Sequence, residues 1–162
     1  MLQDLTEPAR KRLAIYLDDH SALAAGGLAL ARRCASANAD NEVGRYLRES
    51  FIPEAEHHRE VLDGYRNAIG SRQNPIKPAA ARFGELAGRL KYNGQLFGYS
   101  PSSRVIELEG LMAGVQAKER LWRVLEELEC EVDLVLRESQ VELERLGDLH
   151  RQAAQHAFGE TG

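Results

Sequence analysis

An apolar pattern with helical spacing runs from Leu47 to Ile69, and two ionisable residues interrupt it at its middle. Its members recur at steps of four and three, the period that keeps side chains on one face of a helix. Because that face packs against neighbouring helices, the sequence predicts a carboxylate and an imidazole inside a bundle core. The pattern consists of Leu47, Phe51, Glu54, His58, Val61 and Tyr65.

The helix that carries this interrupted pattern is predicted to span 41–69, with Asp40 as its cap and Gly70 just past its end. Pro53 lies inside it. Since the apolar spacing continues on both sides of the proline, we expect one helix with a kink or a local bulge next to Glu54, rather than two helices.

An earlier apolar series predicts a first long helix that starts after Thr6 and continues to Cys34, with His20 among its inward-facing residues. Gly26 and Gly27 lie in the middle of this helix. Small residues there allow a neighbouring helix to approach closely, or leave room between helices for a small molecule or a lipid.

Two more long helices are predicted in the second half of the chain, over 102–128 and 133–158. No glycine or proline separates them. A single helix across both would be ~85 Å long, and nothing would cover its apolar face, so we place a turn at 129–133. A shorter amphipathic helix is predicted over 79–92.

These elements predict an all-α protein, a four-helix bundle of two helical hairpins that forms a single domain over residues 1–162. The extra short helix belongs to the long connection between the second and third long helices. If this connection runs the length of the bundle, Cys34 and Cys130 lie at opposite ends. Both cysteines are expected to be reduced thiols, because neither belongs to a metal-binding or redox spacing.

Composition and missing motifs exclude several functions. The net charge of -4 argues against a general nucleic-acid binder, and no apolar run approaches the ~20 residues of a membrane span. The chain has no phosphate-binding glycine loop, nucleophile elbow or zinc-type cysteine cluster. We therefore expect a soluble cytoplasmic protein without nucleic-acid or membrane partners, which self-associates, as a dimer, through an exposed stripe.

Four long helices with one long connection resemble the ferritin-like four-helix bundles. Two stretches, Tyr16 to His20 and Arg89 to Gly94 with the following Ser100 and Pro101, are also similar to an uncharacterised bacterial ferritin-like family. The resemblance covers most of the chain and implies no settled activity for that family.

Metal-binding members of the ferritin-like superfamily use one Glu from each of two helices and a Glu-x-x-His pair from each of the other two. These ligands converge on two iron or manganese ions. In this chain Glu54 and His57 have the Glu-x-x-His spacing, with His58 as the alternative imidazole, whereas the fourth helix has no such pair.

Distance along the helices predicts which residues share one level of the bundle. His20 and His58 lie about nineteen residues before and after the first turn, near Ala39, so they should lie at the same height. The same count reaches 118–122 on the third helix and 138–142 on the fourth, which contain Glu119 and Glu142. The candidate metal ligands are therefore His20, Glu54, His57, His58, Glu119 and Glu142.

An ion-pair network explains the same residues without a metal. Glu54 and His58, four residues apart, can satisfy one another or form a polar layer that sets helix register. Lys118 can pair with Glu54 or Glu142 and so convert a metal site into a network of salt bridges.

Three hypotheses of different classes follow. The first is a ferritin-like bundle without catalysis, a binding or assembly module that needs no cofactor. The alternative is a carboxylate and histidine metalloprotein that binds iron or manganese and handles oxygen or peroxide, or stores metal. A third is a small-molecule or lipid carrier, which requires a large apolar cavity near Gly26 and Gly27.

Overall fold

The computed structural model describes residues 2–71 and 99–159. These residues form helices and no strands, which confirms the predicted all-α class for the described part of the chain. The short helix predicted over 79–92 and the 89–94 stretch lie outside the described residues. The elements are a 3-10 turn Leu2–Asp4, α1 Glu7–Ala37, α2 Glu42–Tyr46, a π-helical turn Leu47–Phe51, α3 Ile52–Ala68, α4 Pro101–Glu127 and α5 Asp133–Phe158.

The bulge predicted beside Pro53 is the π-helical turn Leu47–Phe51, which joins α2 and α3 into one long run. The N–H of Ile52 bonds to the carbonyl of Leu47, five residues earlier. Proline has no N–H and its ring collides with the carbonyl four residues before it, so a regular α-helix is unfavourable at this point. The wider turn keeps the run continuous, and Phe51 and His58 are both buried.

The cap of the second helical run is Asn41 and not Asp40, so the prediction was wrong by one residue. The Asn41 side chain accepts hydrogen bonds from the backbone N–H groups of Val43 at 3.0 Å and Gly44 at 3.3 Å. The turn before the helix is therefore one residue longer than predicted. Asn caps a helix as well as Asp does.

Two clusters of buried apolar side chains define the two ends of the bundle. The first joins the end of α1 to α2, to the start of α4 and to the end of α5. The second joins the start of α1 to the end of α3, to the end of α4 and to the start of α5. The run α2–α3 and helix α4 therefore point the same way, so that α3 ends and α4 begins at opposite ends of the bundle.

This connectivity confirms the prediction for the two cysteines. Cys34 belongs to the first cluster, whereas Cys130 packs against the second, and both are free. Burial, followed by the charge of Glu107, raises the pKa of Cys34 to about 12. Its thiol is therefore protonated at neutral pH, as expected of a structural rather than a reactive cysteine.

The end of the long connection is held against α1 by Tyr99. Its hydroxyl donates to Glu107 Oε2 at 2.9 Å and accepts from Asn38 Nδ2 at 2.6 Å. Glu107 is buried and also pairs with Arg33 at 2.8 Å. These contacts set the level at which α4 begins, and with it the height of every residue that α4 brings to the core.

The predicted turn between α4 and α5 is present, and Glu129 supplies the left-handed residue that ends α4, with a φ of 57°. The N–H of Cys130 bonds to the Leu125 carbonyl at 3.0 Å, and the N–H of Glu129 bonds to the Glu126 carbonyl at 2.8 Å. These two bonds form a Schellman motif. Helix α3 ends in the same motif, with Gly70 at a φ of 71°.

We expect Glu129→Gly to raise the free energy of unfolding by about 0.5–1 kcal/mol, because glycine adopts a left-handed conformation without the penalty of a Cβ. Gly70→Ala is the matched opposite change and should lower it by a similar amount. Urea denaturation of the three proteins measures both effects. A loss of stability in Glu129→Gly would contradict this explanation of the turn.

Candidate functional site

His58, one of the two ionisable residues that interrupt the helical pattern, belongs to a largely buried polar cluster midway along the bundle. We use the term polar cluster for His58 from α3, Lys118 from α4, and Glu138 and Glu142 from α5. His58 and Glu142 are each only 1% exposed. Since three helices supply these side chains, each depends on the helix packing for its position.

The polar cluster is a continuous chain of hydrogen bonds. His58 Nε2 lies 2.8 Å from Glu138 Oε2, and Lys118 Nζ lies 2.7 Å from His58 Nδ1. Lys118 also donates to Glu142 Oε2. Because an ammonium group can only donate, His58 Nδ1 must accept. The imidazole is therefore neutral, with its proton on Nε2, and it donates to Glu138.

Burial shifts the ionisation of this cluster. Burial, and then the Lys118 charge, lower the pKa of His58 from 6.5 to about 4. Burial lowers the pKa of Lys118 and raises the pKa of Glu142, while their attraction for each other opposes both shifts. Burial and the charge of Glu138 also raise the pKa of nearby Glu54. A buried ion pair beside a neutral histidine is the arrangement that these surroundings favour at neutral pH.

We expect the stability of the protein to decrease as the pH falls from about 6.5 to about 4, through the contribution of His58. In this range the unfolded chain protonates His58 and the folded chain does not, so acid favours unfolding. The raised pKa values of Glu54 and Glu142 act in the opposite direction.

The effect of His58 is therefore measured as a difference. As the pH is lowered through this range, the free energy of unfolding of His58→Gln should fall less than that of the wild type. His57→Gln, which alters an exposed neighbour whose charge is the last of the causes that lower the pKa of His58, should keep most of the wild-type dependence. Equal pH dependence in the wild type and His58→Gln would show that His58 is not the neutral, buried group described above.

The structure brings some of the candidate metal ligands together and separates others. His58 Nδ1 lies 3.8 Å from Glu142 Oε1, and Glu54 lies close enough to raise the pKa of Glu142. His57 is exposed, and its ring centroid is 6.0 Å from that of His58. Glu119 bonds instead to Arg123 on its own helix, at 3.4 Å.

In residues 2–71 and 99–159 no three His, Cys, Asp or Glu side chains are arranged to hold a metal ion. The metal site stays a prediction. Glu138 is the cluster residue that the candidate list missed, although it lies one helical turn before Glu142 and a search for carboxylates four residues apart would have found it. Lys118 was predicted to lie beside these residues only in the hypothesis of an ion-pair network without a metal.

A cavity of about 60 Å³ lies beside the polar cluster, between α1, α3 and α4. Its wall is mainly apolar, and Gly27 and Gly114 contribute to it from two different helices. His20 lines this cavity together with His58, which agrees with the predicted common height of the two imidazoles. The position matches the third hypothesis, but the cavity is smaller than the large one expected.

Trp122 forms part of the cavity wall, and its ring makes a T-shaped contact with the His58 ring, with 6.2 Å between the centroids. Trp122 Nε1 is buried and, in the described part of the chain, has no hydrogen-bond partner. Glu142 Oε1 is the other buried side-chain atom without a hydrogen-bond partner in residues 2–71 and 99–159. A buried polar atom without a hydrogen bond lowers the free energy of unfolding by about 1–3 kcal/mol. The site therefore holds two polar atoms whose hydrogen-bonding capacity is not used.

No family model, no curated protein and no solved structure matches this chain. The ferritin-like resemblance therefore stays a prediction. Of the helices in residues 2–71 and 99–159, none is both long enough and apolar enough to cross a membrane.

Proposed function

We propose that this chain is a ferritin-like four-helix bundle that binds a small, mainly apolar molecule and does not act as a metal-dependent oxidoreductase. The observation that carries the proposal is the cavity of about 60 Å³ between α1, α3 and α4, beside the polar cluster. Binding sites for small molecules are characteristically concave and apolar, with a few polar groups close by.

The direction of the helices supports the ferritin-like part of the proposal. Helices α1 and α5 point one way, and the α2–α3 run and α4 point the other, so α3 ends and α4 begins at opposite ends of the bundle, which is the arrangement that a long crossover produces. Ferritin-like bundles have one such long crossover. A simple up-down-up-down bundle, with short loops throughout, lacks it.

The described side chains do not fit a two-metal centre. The Lys118 ammonium group already bonds to Glu142 and to His58 Nδ1, so a cation occupies the space between these two ligands. His57 and Glu119 lie away from the polar cluster. In this proposal lysine balances the buried carboxylate, which is the role that metal ions have in metal-binding relatives of the fold.

One observation favours the iron- or manganese-binding alternative. Glu142 Oε1 is buried and, among the described residues, has no hydrogen-bond partner. A carboxylate oxygen in this condition is a competent metal ligand. The alternative requires Lys118 to give up its two bonds in the polar cluster before a metal ion can bind.

Binding of xenon, followed by amide NMR shifts of the purified protein, tests the proposal, because xenon enters dry apolar cavities without any polar contact. We expect saturable shifts at the cavity residues Ala24, Leu62 and Ala117. Shifts spread evenly over the chain, or none at these residues, would contradict the proposal.

Two glycine substitutions form a matched pair for this experiment. Gly114 lines the cavity, and an added Cβ would meet no atom within 4 Å. Gly64 has the same free space but does not line the cavity. Gly114→Leu is expected to fill the cavity and remove the xenon shifts, whereas Gly64→Leu should retain them.

A further inference from the structure

We propose that the ligand of this cavity is a short-chain carboxylate, with its carboxylate group bound by Arg59 and His20 and its alkyl chain in the apolar interior. The inference rests on the proposed binding function and adds the chemical class of the ligand. It follows from two polar side chains that line the cavity from different helices and that have no hydrogen-bond or ion-pair partner among the described residues.

Arg59 is the first of these side chains. It is half-buried and lines the cavity, and among the described residues no carboxylate pairs with it. Nearby arginines are paired, since Arg32 bonds to Glu56 at 2.6 Å and Arg66 bonds to Asp18 at 2.7 Å. An unpaired guanidinium group is ordinary on an open surface, but beside an apolar cavity it provides a fork of donors that matches a carboxylate.

His20 is the second. It is half-buried on α1, and its ring makes a T-shaped contact with the Tyr16 ring, with 4.6 Å between the centroids. Its ring nitrogens have no hydrogen-bond partner in the part of the chain that the structure describes. A neutral imidazole has one N–H to donate, and a carboxylate has lone pairs to spare after binding a guanidinium group.

The charges around the cavity are of both signs, and they decide where in it an anion can bind. Lys118 is balanced by Glu142, and His58 is neutral. Glu54 and Glu138, whose charges act on Lys118, make the polar-cluster side of the cavity unfavourable for an anion. Arg59 also lines the cavity and has no carboxylate partner among the described residues, so its guanidinium group attracts a carboxylate and repels an amine. An uncharged ligand would leave the guanidinium group without a partner.

The volume limits the length of the alkyl chain. The cavity measures about 60 Å³, well below the ~150 Å³ of an apolar cavity that accepts benzene. Only a few carbon atoms fit, as in butyrate. Longer fatty acids would extend out of the cavity into solvent.

Calorimetric titration of the purified protein with sodium butyrate, compared with butyramide, tests the inference. The two molecules have nearly the same shape and differ in charge. Charge-assisted hydrogen bonds predict about tenfold or tighter binding of butyrate. Arg59→Met should remove this preference, and Arg32→Met, which alters an arginine outside the cavity, should retain it.

The outcomes separate this inference from the proposed function. Equal affinity for butyrate and butyramide, or an unchanged preference in Arg59→Met, overturns the carboxylate assignment even when xenon still enters the cavity. Butyrate binding that persists in Gly114→Leu also overturns it, because the ligand then lies elsewhere. If xenon causes no shifts at the cavity residues, the binding function itself fails.

Discussion

Replacing Lys118 with methionine is expected to lower the free energy of unfolding by about 3–5 kcal/mol, the usual result of removing one partner from a buried ion pair. The side chain of Glu142 is fully buried, and its Oε1 has no hydrogen-bond partner among the described residues. Without Lys118 its charge has no compensating cation. Urea denaturation at neutral pH measures the loss.

Two control variants identify the cause of this loss. Lys11→Met alters an exposed lysine and should change the stability by no more than about 0.5 kcal/mol. The double variant Lys118→Met with Glu142→Met should recover most of the loss, because apolar side chains of similar size can replace a buried ion pair. A double variant as unstable as Lys118→Met alone would contradict the proposed role of Lys118.

Gly44→Ala is expected to lower the free energy of unfolding by about 3 kcal/mol, the upper end of the range for overpacked sites. A Cβ at Gly44 would lie 1.9 Å from the Asn38 carbonyl oxygen and 3.0 Å from that of Ala35. Both are backbone atoms, so no side-chain rotation relieves the clash. The corner between α1 and α2 would have to open, and the first apolar cluster would open with it.

Gly64→Ala is the matched control for Gly44→Ala. Gly64 also lies in a helix, but an added Cβ would meet nothing within 4 Å. Alanine is the better helix former, so this variant should gain about 0.5–1 kcal/mol. The two Gly→Ala changes are therefore expected to have opposite signs in thermal or urea unfolding. If both changes raise, or both lower, the free energy of unfolding, the close backbone contact at the corner between α1 and α2 is contradicted.

The helices were predictable because their apolar spacing is regular over long segments. The bulge beside Pro53 and the turn near Glu129 were also predicted correctly, the first from proline chemistry and the second from the length of helix that a bundle can cover. The cap at Asn41 was missed by one residue, since two adjacent residues there have equal capping ability.

The site was only partly predictable, because counting along a helix gives height but not rotation about the axis. Each residue turns a helix by about 100°. Glu119 therefore has nearly the same height as Lys118, yet Lys118 belongs to the polar cluster and Glu119 pairs along its own helix. His57 and His58 differ in the same way. Self-association stays a prediction.

Metal analysis by mass spectrometry tests most directly whether lysine, and not a metal ion, balances the buried carboxylate. Untagged protein would be expressed in medium with added iron, manganese and zinc, alongside the triple variant His20→Ala, Glu54→Ala and His58→Ala. We expect metal far below one ion per chain in both proteins. Stoichiometric metal in the wild type that is lost in the triple variant would contradict the role assigned to Lys118 and establish the metalloprotein alternative.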